Sequence, residues 1–155
     1  MATRAGIDEF LGRKRFAFVG VSRNPKDFTR MLFREFLKRG YDAVPVNPQV
    51  REIEGRPCFP SIGEVQPAVE AALLMTSPSV SEVVVRDCAQ AGVRQVWFYR
   101  AAGTGAVSPA AVAFCAEKGI AVVDGECPFM FLPNTALLPH GLHGWIKKLT
   151  GTYPA

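Results

Sequence analysis

Phe16-Ala17-Phe18-Val19-Gly20-Val21-Ser22-Arg23-Asn24-Pro25-Lys26-Asp27 is the stretch that decides the fold. Residues 16–21 form a short apolar run with a glycine near its end, the pattern of a buried strand. A polar turn follows. Asp27 can then cap a helix running to about Arg39, with Phe28, Met31, Leu32 and Phe36 on one face and Gly40 at its end. Strand, glycine turn and helix is the opening of a nucleotide-binding α/β unit.

The same alternation repeats outward from this stretch. Asp42–Val46 reads as a second strand, with Pro45 marking a strand end or an irregular pairing. Ser61-Ile62-Gly63-Glu64 has capping-box spacing and predicts one short helical turn. Ala71–Met75 is a third strand. Ser79-Val80-Ser81-Glu82 predicts a helix to about Ala91 that turns Val80, Val84 (or Val83), Cys88 and Ala91 inward. Gln95–Phe98 is a fourth strand. Ser108-Pro109 starts a helix to Lys118, and Ile120–Val123 is a fifth strand. Short strands that are nearly all apolar, separated by amphipathic helices, predict a doubly wound parallel α/β sheet of about five strands. Residues 1–15 read as an N-terminal cap with Ile7, Phe10 and Leu11 on one face, 16–133 as the core, and 134–155 as a C-terminal helical extension, together one domain.

Composition narrows the function. The net charge of +4 favours anionic ligands, but the basic residues are scattered and no nucleic-acid-binding motif is present. No stretch approaches the ~18 apolar residues of a membrane span, and Asp8 and Glu9 argue against a transit peptide, so a cytoplasmic protein is expected. Cys58, Cys88, Cys115 and Cys127 are too widely spaced for a zinc ribbon and are expected to be free thiols. His140 and His143 lack a third ligand nearby, so no metal site is expected. No acidic pair suited to acid–base catalysis is evident. Leu142, Trp145, Ile146 and Leu149 have helical spacing and predict a helix that docks on the domain or on a second copy.

In a doubly wound sheet the ligand lies beyond the carboxyl ends of the strands. The first of those loops offers Gly20 for a sharp turn, the Ser22 hydroxyl, and the cations Arg23 and Lys26, with backbone amides at a helix start. Its position after the first strand predicts a phosphate cradle rather than an ordinary polar turn. It holds only the first glycine of the dinucleotide fingerprint, and Val46-Asn47-Pro48-Gln49 supplies no carboxylate for free ribose hydroxyls. NAD is disfavoured. Arg51 nearby suits a ribose that carries a phosphate, a description met by both NADP and coenzyme A.

Gly20–Pro25, Gly40-Tyr41, Pro45–Pro48, Gly55–Ile62, Ala91-Gly92 with Val96-Trp97, and Cys127-Pro128 occur in this order. Together they resemble the small single-domain CoA-binding proteins, whose fold is also the N-terminal domain of the succinyl-CoA synthetase α subunit and of ADP-forming acetyl-CoA synthetases. The resemblance covers roughly residues 15–133. It implies that Gly20, Val21, Ser22 and Arg23, in a loop completed by Asn24, Pro25 and Lys26, contact the phosphates of coenzyme A or an acyl-CoA. It places Asn47, Pro48 and Arg51 at the 3′-phosphoadenosine end, Thr76, Ser77 and Pro78 along the groove, and Cys127 and Pro128 at its far side. Two positions depart from the family pattern: Tyr99 stands where a glutamine is usual, and Phe129 where a basic residue or histidine is usual.

The synthetases keep their phosphorylated histidine and nucleotide-grasping parts in other domains, so the resemblance implies a binding module without catalysis of its own. It would be partnered by a homodimer mate or a separate acyl-CoA enzyme. An NADP-binding regulator or oxidoreductase, and an interaction scaffold with a degenerate nucleotide site, are the alternatives.

Overall fold

The computed structural model of the chain describes residues 2–132. The expected C-terminal helix and both histidines lie outside that range. Five parallel strands form one sheet in the order β2-β1-β5-β6-β7: β1 Arg15–Val19, β2 Asp42–Val46, β5 Ala71–Leu74, β6 Gln95–Phe98 and β7 Ala121–Asp124. The helices are α1 Arg4–Gly12, α2 Phe28–Lys38, α3 Pro78–Gln90 and α4 Pro109–Glu117. This is the doubly wound α/β architecture that the sequence predicts. Among the described residues no helix is long and apolar enough to cross a membrane.

Alternation along the strands splits the core in two. Phe16, Phe18, Leu73, Trp97 and Val123 face α1 and α2, whereas Ala17, Val19, Leu74, Val96 and Phe98 face α3 and α4. The first layer is aromatic. Phe16 packs against Phe10, Phe36 and Tyr41, with ring centroids 5.1, 4.9 and 6.1 Å away. Gln95, buried at the start of β6, ties α1 to the sheet by donating to the Gly6 carbonyl at 2.8 Å and accepting from Arg13 at 3.0 Å. Pro45 is tolerated because β2 is an edge strand, paired along its length only with β1.

Three sequence expectations need correction. In α2 the buried face is Leu32, Phe33 and Phe36, while Met31 is exposed. The cap of α3 is Ser77, not Ser79, because Pro78 takes the first helical position and the Ser77 hydroxyl accepts from the Val80 amide. The core face of α3 is Ser81, Val85 and Cys88. Val80 and Val83 are exposed and Val84 is half-buried.

One element was not anticipated: a small antiparallel hairpin of β3 Glu52–Ile53 and β4 Arg56–Pro57. Its turn residues Glu54 and Gly55 both have positive φ, 51° and 72°, the geometry that matches strand twist in two-residue hairpin loops.

Candidate functional site

The connection from β2 to β5 crosses one face of the sheet without a full helix. It holds the β3–β4 hairpin and a single 3-10 turn, Ile62–Glu64. That turn and α3 therefore do not close together over the carboxyl ends of β1 and β2. A groove of about 440 Å³ occupies the gap. Val19 and Val46 line it from the carboxyl ends of β1 and β2, Pro60, Ser61 and Ile62 from the 3-10 segment, and Val80, Val84 and Asp87 from α3. Its mouth is edged by the two loops Gly20–Arg23 and Asn47–Gln49, with Thr76 after β5.

The mouth lies where the strand order reverses, between β1 and β5. Gly20 makes this junction tight. Its φ is +93°, and a Cβ there would stand 2.4 Å from the Met75 carbonyl oxygen. The loop is built from its own polar groups. The Ser22 amide donates to Thr29 Oγ1 at 2.8 Å, and the Asn24 amide to Ser22 Oγ at 3.0 Å. Asn47 joins the second loop to the first, donating from Nδ2 to the Val21 carbonyl at 2.9 Å.

The helix start is not the open anion site that the sequence predicts. The Asp27 carboxylate already accepts from the Thr29 amide and hydroxyl, both at 2.9 Å, and places its negative charge at the first turn of α2. The donors that remain belong to the loop. The amides of Val21 and Arg23 make no hydrogen bond among the described residues, and the Arg23 guanidinium is exposed and unpaired there.

Arg30 orients one of these amides. Its side chain donates to the carbonyls of Ser22 and Arg23, at 3.3 and 3.2 Å, and to Glu54 Oε1 at 2.8 Å. Arg34 reaches the same carboxylate oxygen at 2.7 Å. The Ser22–Arg23 peptide is planar and trans, so a carbonyl held toward α2 sends the Arg23 N–H to the opposite side. The unforeseen hairpin thus anchors the loop through Glu54 and Arg30.

Arg30, then Arg34, holds the Glu54 carboxyl below the ordinary glutamate value of 4.5, against the opposing effect of burial. A depressed carboxylate contributes stability above its unfolded value, and that contribution is lost as pH falls through the folded value. Glu54→Gln is therefore expected to lower stability at neutral pH and to flatten the loss below about pH 4.5. Urea midpoints between pH 3 and 7 check this; parallel curves for the two proteins would contradict it.

Of the expected ligand-contacting residues, the groove brings together Gly20, Val21, Ser22, Arg23, Asn47, Pro48 and Thr76. Asn24, Pro25, Lys26, Arg51, Ser77 and Pro78 are not in its lining. Neither are Cys127 and Pro128, both buried at the short turn after β7. Beside that turn, Tyr99 and Phe129 pack on Phe28 with ring centroids 5.9 and 5.7 Å away. Burial, and then Cys127 beside it, push the Tyr99 phenol up to about 12. The two residues that depart from the family pattern therefore fill the carboxyl edge of the sheet beyond β5. Sequence reading missed Pro60, Ser61, Ile62, Val80, Val84 and Asp87, which reach the groove only through the packing of α3 against the 3-10 turn.

A family model described as a CoA binding domain matches residues 14–133. The chain belongs to the CoA binding domain family. Relatives of this CoA-binding-domain chain include the uncharacterized protein YneT of Bacillus subtilis, 27% identical over 126 residues that span 81% of this chain and 90% of YneT. The α subunit of the ADP-forming acetate–CoA ligase II of Pyrococcus furiosus is 24% identical over 91 residues. That match spans 58% of this chain and only 20% of the ligase subunit. Among solved structures, a hypothetical protein from Pyrococcus horikoshii superposes with a TM-score of 0.74 at 30% identity, covering 81% of this chain and 87% of that one.

Proposed function

We propose that the groove binds coenzyme A or an acyl-CoA through its 3′-phosphoadenosine and pyrophosphate, and that the chain acts as a binding module for a homodimer mate or a partner acyl-CoA enzyme. The observation that carries this reading is an apolar groove at the switch point whose mouth offers the unpaired amide and the guanidinium of Arg23. Gly20, Val21, Ser22 and Arg23 meet the pyrophosphate. Asn47 and Pro48 flank the ribose, and Arg51, exposed three residues beyond Pro48, serves its phosphate. Thr76 lies along the groove, with Ser77 and Pro78 next to it.

The Phe28–Tyr99–Phe129 cluster supports a CoA over NADP. It occupies the edge beyond β5, along which the second nucleotide of a dinucleotide would run, whereas a pantetheine arm can leave toward solvent.

Thermal shifts with CoA, acetyl-CoA, NADP and ATP test the reading. Binding at about 100 times Kd stabilises by about 2.7 kcal/mol, so CoA should raise Tm and NADP should not. Stabilisation by NADP alone would reverse the assignment. Arg23→Ala is expected to weaken CoA about tenfold to a hundredfold, since a charge-assisted hydrogen bond contributes about 1.5–3 kcal/mol, with Tm of the free protein unchanged. Equal affinity in calorimetry would remove the loop from the phosphate site.

A further inference from the structure

Two residues of opposite charge line the groove. Arg23 stands at the mouth, and Asp87 lines the wall formed by α3. Val80, Val84 and Asp87 recur at i, i+4 and i+7, so they share one helix face, with Asp87 about 10 Å further along α3 than Val80. A second, smaller cavity abuts the groove there; it shares Ser61 and Asp87 and adds Gln90. The apolar walls include Val80, Val84 and Ile62. Asp87 is half-buried, and no hydrogen bond or ion pair engages its carboxylate among the described residues.

A carboxylate left unpaired on the α3 wall of an apolar groove repels an anion and attracts a donor. A ligand bearing phosphates must then lie with them at Arg23 and present hydrogen-bond donors at Asp87. We propose that Asp87 determines base specificity by accepting a hydrogen bond from the exocyclic amine of an adenine held between Ile62, Val80 and Val84. The inference rests on the nucleotide reading of the groove and adds what that reading lacks, a residue that tells one purine from another. Hypoxanthine has the same shape but presents a carbonyl oxygen at that position. Two acceptors would then face each other, a pairing that leaves a partly buried charge unsatisfied.

Calorimetry with adenosine 3′,5′-bisphosphate and inosine 3′,5′-bisphosphate tests the assignment on the full chain. Wild-type protein is expected to prefer the adenine compound at least tenfold. Asp87→Ala should bring the two affinities within about twofold, by weakening the adenine compound, and Asp87→Asn should shift preference toward the inosine compound because the amide can donate. The position is on the surface of α3, and an unchanged Tm verifies that both variants fold. A preference retained in Asp87→Ala, or an equal loss for both compounds, would overturn the role of Asp87 while leaving nucleotide binding intact. Wild-type protein that binds neither compound, nor CoA, would overturn both readings together.

Discussion

Gly20→Ala is expected to cost about 3 kcal/mol or more and to abolish ligand binding in the fraction that still folds. Two effects add. The residue sits at φ +93°, a conformation that L side chains rarely adopt, and its Cβ would stand 2.4 Å from the Met75 carbonyl oxygen and 2.9 Å from the Met75 carbonyl carbon. Neither neighbour is a flexible side chain that can swing aside. Met75 is itself held, its amide donating to the Val19 carbonyl at 2.8 Å, and the Gly20 amide donates to Val46. Relief requires β1 and β5 to part at their carboxyl ends, which is where the groove opens. Urea denaturation should show a large drop in midpoint at constant slope, and CoA should no longer raise it. A variant with wild-type stability would mean that the two strands are not locked at this junction.

Phe10→Ala is expected to destabilise by about 3–5 kcal/mol, a large share of the 5–15 kcal/mol typical of a domain. Phe10 is fully buried, 5.1 Å from Phe16 and edge-on to Trp97 at 5.3 Å. Ile7 of α1 lies in the same buried cluster, and beside it Phe131 meets Trp97 with ring centroids 6.2 Å apart. The N-terminal helix is thus part of the core layer rather than an accessory. Chemical denaturation checks this, and a cost under about 1 kcal/mol would return α1 to the status of an appendage.

The strands were legible because burial on both faces leaves no polar alternation to misread. Asp42–Val46 and Gln95–Phe98 fall where the residues place them. The helix faces were less so. Helix α3 carries valines at 80, 83, 84 and 85, and periodicity alone does not say which arc meets the sheet. The core took Ser81, whose hydroxyl finds Thr76 Oγ1 at 2.7 Å, and left Val80 and Val84 to the groove. The mouth of the groove was readable because Gly20–Arg23 and Asn47-Pro48 are contiguous motifs. Its depth was not, since Ile62, Val84 and Asp87 converge only in three dimensions. The hairpin was hidden by its length: two residues a side give no period, and the Glu54-Gly55 turn was its only trace.

The single 3-10 turn between β2 and β5 makes the binding space a matter of connector length. Extending Ile62–Glu64 by two or three helical turns would lay a new rod over Val19 and Val46 and erase the berth, with every strand pairing kept. In this architecture, about 7–11 residues gained or lost in one linker would close or open the groove.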